Sequence, residues 1–170
     1  MTLNIIDIAA CMMLSVNKAV LTMSGLQLRD MPSVNREPIP EFVVQGHRGT
    51  FISIVKFDQK GKKWARGAIA LYISTEQIQT LFSKNYQIAL DSPDADIIDV
   101  CGEFCNVIAG GFKKELVNLG YGEMQIEIPQ NFYKDFSQKV DIVIHSKYEL
   151  LFVFGGQDLL KIDVSIESPE

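Results

Sequence analysis

The chain has 170 residues, 47% hydrophobic and 22% charged, enough to bury a sizeable core in a single domain spanning 1–170 and too apolar for a disordered chain. Its formal net charge of -5 argues against a nucleic-acid partner, because phosphates are bound by concentrated basic surface. Cys11, Cys101 and Cys105 make an odd count without histidines nearby in sequence, since His47 and His145 stand far apart. The expectation is buried free thiols in a reducing compartment rather than a disulfide framework or a zinc site.

Ile5, Ile8, Met12, Ala19 and Met23 recur at helical intervals and predict a long N-terminal helix ending near Gly25. Its apolar run, Ile8 to Leu14, is preceded by Asp7 and not by a basic segment, so neither a signal peptide nor a membrane span is expected. The expected location is cytoplasmic, without a membrane partner. Residues Asp30 to Pro40, with prolines at 32, 38 and 40, read as a loop.

From Glu41 the texture becomes β-rich. Phe42–Val44, Thr50–Phe57 and Ala65–Ile73 predict three strands in a meander, with Lys60, Lys62 and Lys63 on a solvated hairpin tip around Gly61. Ser74-Thr-Glu-Gln77 has the form of a capping box, starting a short helix that buries Ile78, Leu81 and Phe82. Ser92-Pro93 predicts an N-cap with Pro at the first helical position, and Asp94 and Asp96 complement the positive end of the helix that follows.

That helix carries the most specific pattern in the chain. At about 100° per residue, Cys101, Phe104, Cys105, Ile108, Phe112, Leu116 and Leu119 gather on one side. Asp99, Glu103, Asn106 and Gly110 fall in a narrow arc on the other. Asp99, Glu103 and Asn106 therefore stack on successive turns and can address one partner together. Gly102 and Gly110 border the stripe without side chains and leave room for a close approach.

The helix is expected to stop near Gly120. Met124–Ile128 alternates like a strand and is halted by Pro129, and Lys139–Ile144, Leu150–Phe154 and Leu159–Ile166 predict three more strands, the last two joined through Gly155-Gly156. The class is α+β, with an N-terminal helix and two further helices on a largely antiparallel sheet of about six strands. The chain carries no Walker-type phosphate loop, dinucleotide fingerprint, His-Glu zinc motif or nucleophile elbow.

Asp99-x3-Glu103-x2-Asn106, followed after 22 intervening residues by Pro129, resembles the signature of the CheC/CheX/FliY family of chemotaxis phosphatases. One copy is present, which is similar to the CheX type, whereas the CheC and FliY types carry two. Glu115-Leu-Val-Asn118 repeats the bare Glu-x2-Asn spacing, but Gly111 stands where the acidic residue belongs and no proline follows at the right distance.

The resemblance implies hydrolysis of the aspartyl phosphate of a phosphorylated CheY-like response regulator. Glu103 would pair with the regulator's active-site lysine and Asn106 would orient the attacking water. Asp99 would support the first turns of the helix or the edge of the docking surface, to which Gly102 and Gly110 would belong. The resemblance also implies no cofactor of the chain's own, with magnesium supplied by the regulator, and a homodimer built through the sheet, for which the Lys139–Ile166 tail offers an edge strand. The rival expectation is a noncatalytic regulator-binding adaptor or a flagellar-switch-like structural module of the same fold.

Overall fold

The computed structural model describes residues 4–35, 37–142, 144 and 146–169. His145, and Val143 within the expected strand Lys139–Ile144, lie outside the described residues. The elements run α1 (Ile5–Ser24), β1 (Ser33–Val34), β2 (Val43–Gly46), β3 (Thr50–Gln59), β4 (Gly67–Ser74), α2 (Thr75–Phe82), α3 (Asp94–Val117), β5 (Met124–Ile126), β6 (Gln130–Phe132), β7 (Phe136–Lys139), β8 (Tyr148–Phe154) and β9 (Gln157–Ile166).

The main sheet has seven strands in the order β1-β8-β9-β4-β3-β5, with β6 also on the outer edge of β3, and every pairing in it is antiparallel. The class is α+β as expected, with about one strand more than the sequence indicates. Two short edge pieces, β1 and β6, join this sheet, while the expected strand Phe42–Val44 lies outside it. Ser33 and Val34 pair with Leu151 and Leu150 of β8 inside the proline-containing loop, because prolines flanking an edge leave the residues between them free to pair. β6 resumes the edge after Pro129, with Ile52–Ile54 of β3 as its partner.

The expected three-strand meander reduces to the β3–β4 hairpin. β2 instead pairs with β7 in a separate two-stranded sheet, Val43 opposite Lys139 and Gly46 opposite Phe136. The expected strand from Lys139 is thus shifted upstream, ending where that reading began. The cause is the second face of the main sheet. Ile52, Ile54, Ala68 and Ala70 point away from the helices and need cover, which Phe42, Val44, Val140 and Ile142 provide.

The other face carries the larger core. Phe51, Val55, Phe57, Ile69, Leu71 and Ile73 meet side chains of α1, α2 and α3 there. α1 starts at Asn4, whose Oδ1 accepts from Ile6 N–H at 2.9 Å, and ends at Gly25. It is long and apolar enough by composition to cross a membrane, but Ile8, Met12, Val16, Ala19 and Val20 are wholly buried in this core. α2 has the expected capping box between Ser74 and Gln77. The β8–β9 turn at Gly155-Gly156 has φ of 60° and 77°, the paired positive values a two-residue hairpin requires.

One polar cluster lies on the face away from the helices. Asp163 is fully buried, and its Oδ2 accepts from Lys147 Nζ and from the Tyr72 hydroxyl, each at 2.7 Å. Lys147 Nζ also donates to the Val43 carbonyl at 3.3 Å, so a single ammonium ties the β2 layer to the centre of the sheet.

Candidate functional site

α3 begins at Asp94 with Pro93 as its N-cap, one residue later than expected, and no side chain caps it. The Ser92 hydroxyl accepts instead from the Ala89 N–H at 2.9 Å, tightening the turn before the helix. Asp94 and Asp96 occupy the first turn, where negative charge faces free amides.

The inner side of α3 is fixed by packing. Cys101, Phe104, Cys105, Ile108, Phe112 and Leu116 are fully buried. Phe104 meets Phe82 edge-on at 5.3 Å and Phe112 meets Phe57 at 5.7 Å, contacts that hold the helix against both α2 and the sheet. Burial pushes the Cys101 thiol up to about 12 and the Cys105 thiol well above its ordinary value. These thiols are packing groups, not nucleophiles.

The outer side carries the stripe. Asp99, Glu103 and Asn106 are exposed on successive turns and Gly110 is half-buried with open space above it. Among the described residues, none of these three side chains has a hydrogen-bond or ion-pair partner. The packing of the inner side therefore fixes the backbone that presents a carboxylate and an amide one turn apart, both without partners.

Gly102 is buried, and its missing side chain is used within the chain: a Cβ there would come within 3.0 Å of Asn131 Nδ2. Asn131 follows Pro129 by two residues and brings the β5–β6 link against the helix. Nothing in the sequence pointed to it, because its role depends on β6 rejoining the sheet after the proline. On the opposite flank α1 approaches closely, with Ser15 Oγ 3.2 Å from the position of a Cβ on Gly111.

The stripe lies on the solvent-exposed face of α3. A depression of about 480 Å3 lined by Ile39, Glu41, Val43, Tyr72 and Lys147 lies on the other side of the sheet. The second Glu-x2-Asn pair is differently placed. Asn118 falls just beyond α3 and its Nδ2 donates to Glu115 Oε2 at 3.3 Å, so that amide is already engaged.

Residues 51–141 match the family described as "Chemotaxis phosphatase CheX". The chain belongs to the CheX family. The matched segment contains α2, α3 with its stripe, and Pro129. Similarity to solved structures extends the fold beyond it. A CheC-like superfamily protein from Shewanella sp. PV-4 shares 18% identity, with 98% of this chain and 100% of that one covered at a TM-score of 0.70. CheX from Desulfovibrio desulfuricans shares 17%, covering 95% and 99% at 0.68. The CheX-CheY-BeF3-Mg+2 complex from Borrelia burgdorferi gives 14% identity, 94% and 97% coverage and a TM-score of 0.60. No curated protein matches the chain. In this CheX-family domain the residues outside the matched segment supply α1, which packs on α3, and the β8–β9 hairpin that widens the sheet.

Proposed function

We propose that this chain is a phosphatase that hydrolyses the aspartyl phosphate of a CheY-like response regulator and so ends its signal. The observation that carries this reading is the pair of exposed, unpartnered side chains Glu103 and Asn106 on one face of a rigid helix, in a domain of the CheX family. Phosphoryl transfer asks mainly for positioning and charge stabilisation. An amide suits this, since its oxygen accepts from a water while its N–H donates.

In this reading Glu103 pairs with the regulator's active-site lysine and docks α3 over the acyl phosphate. Asn106, one turn on, orients the water in line with phosphorus. Asp99 and Gly110 belong to the docking surface, and Gly102 serves it by seating Asn131. The magnesium ion is the regulator's. Among the described residues no group of three or more His, Cys, Asp or Glu is placed to hold a metal. The proposed location is cytoplasmic, with the regulator. A homodimer is proposed through the outer edge of β8, which the two residues of β1 cover only in part.

Glu103→Ala is expected to weaken complex formation with the regulator more at low than at high salt, because charge pairing supplies part of the attraction. Titrating the variant against the activated regulator at several ionic strengths checks this. Normal binding at every ionic strength together with slow turnover would reverse the roles of Glu103 and Asn106.

Glu115→Ala and Asn118→Ala are expected to leave the rate of regulator dephosphorylation within about twofold of wild type. At about 100° per residue, Glu115 stands roughly 160° round the helix from Asp99, and its partner Asn118 is bonded to it. A large loss in either variant would count against the single stripe as the site.

A further inference from the structure

The stripe has two flanks, and the chain builds an apolar feature on each. At about 100° per residue, Gly102 and Ala109 fall on the Asn106 side of the stripe, and both are buried. Val107 falls on the other side and is 41% exposed. The Gly102 flank is covered by β6, through Asn131, and the β5–β6 link adjoins it.

That link is held at both ends. The Glu127 N–H donates to the Lys56 carbonyl at 3.0 Å, and Gln130 pairs with Ile54. Pro129 fixes its own φ and confines the residue before it to extended backbone. Between these restraints Ile128 is 92% exposed, the highest value for a large hydrophobic among the described residues.

Its level along the helix follows from the packing. α3 and β3 run in the same direction, with Gly102 against Asn131, which pairs with Ser53, and Phe112 against Phe57. The link lies opposite Val55 and Lys56 and so stands level with the turn of α3 that contains Asn106. A partner seated over Asn106 that extends toward this edge of the sheet would meet Ile128.

From this placement we infer that Ile128 is the apolar anchor by which the regulator's receiver domain seats on the stripe, with Val107 completing the seal on the opposite flank. The inference rests on the phosphatase reading for its occupant. The acidic stripe calls for a partner presenting a cation, as the receiver's lysine does, and a rigid apolar side chain beside a polar contact excludes water from it. Because the Ile128 side chain contributes nothing to the core, its effect should fall on recognition and not on folding.

The test compares wild type, Ile128→Asp, Ile128→Ala and Asn106→Ala in regulator binding and stimulated dephosphorylation. Ile128→Asp is expected to raise KM and Kd about tenfold or more with kcat little changed, and Ile128→Ala to raise them less, with unchanged melting curves for both. If wild type accelerates decay and Asn106→Ala abolishes it while Ile128→Asp keeps wild-type KM and Kd, the anchor is overturned and the phosphatase reading stands. If wild type binds the receiver without accelerating decay and Ile128→Asp weakens that binding, the anchor stands and the phosphatase reading fails. If Ile128→Asp alters the oligomeric state while regulator affinity is unchanged, Ile128 seats a second copy of the chain and the inference is overturned.

Discussion

Asn106→Ala is expected to slow stimulated dephosphorylation by about 10²-fold or more, the usual consequence of removing one preorganised polar group from a transition state. The side chain is exposed, so its truncation opens no cavity and should leave the melting curve unchanged. Affinity for the regulator should survive, because in the proposed arrangement Glu103 and the apolar rim carry docking. Single-turnover decay of the phosphorylated receiver, at saturating variant, separates the two effects. Unchanged decay kinetics would end the assignment of Asn106 to the water.

The largest expected effect on stability lies far from the stripe. Lys147→Met should cost about 3–5 kcal/mol, since it leaves Asp163 as a buried carboxylate without its nearest cation. Asp163 is fully buried, its Oδ1 has no hydrogen bond, and the remaining ammonium, Lys161 Nζ, lies 3.8 Å from that oxygen. The Tyr72 hydroxyl would still donate to Oδ2 but brings no charge. Removing both partners, as in Lys147→Met with Asp163→Leu, should recover much of the loss, because apolar groups of similar volume replace buried pairs at little cost. Denaturant titration of the two variants checks both statements. A single variant as stable as wild type would mean that water reaches Asp163.

The helices were legible in the sequence because their signals are local. The periodicity of Ile8, Met12 and Ala19, the Ser74–Gln77 capping box and the Asp99–Glu103–Asn106 spacing each involve residues within a few turns of one another. The misread elements depend on what lies across space. β2 was expected to join β3, yet Phe42 and Val44 serve to cover Ile52, Ile54, Ala68 and Ala70. The clue was present in Thr50–Phe57 and Gly67–Ile73, which are apolar on both alternating sets and thus need cover on two faces. β1 and β6 escaped notice because two or three paired residues beside prolines carry no periodicity.

The site divides in the same way. The stripe follows from helix geometry, and the structure presents Asp99, Glu103 and Asn106 together on the exposed side of α3. Asn131 over Gly102 and Ile128 beside Pro129 could not be read in advance, because both positions are set by how the β5–β6 link returns to β3. The spacing from Asn106 to Pro129 was visible as a number only. Its physical content is the length of chain needed to end α3, form β5 and return at Pro129 to pair β6 with β3.

The central claim is that this CheX-family chain removes phosphate from a regulator rather than merely binding it. Receiver domains encoded in the same genome can be phosphorylated with a small phosphodonor, freed of the donor and followed in magnesium with and without substoichiometric amounts of this chain. The account predicts that one receiver loses its phosphate faster in proportion to the amount of chain added, with multiple turnovers, and that the acceleration disappears in Asn106→Ala. A receiver that binds the chain tightly through the same helix yet decays at its intrinsic rate would contradict the account and identify the chain as an adaptor.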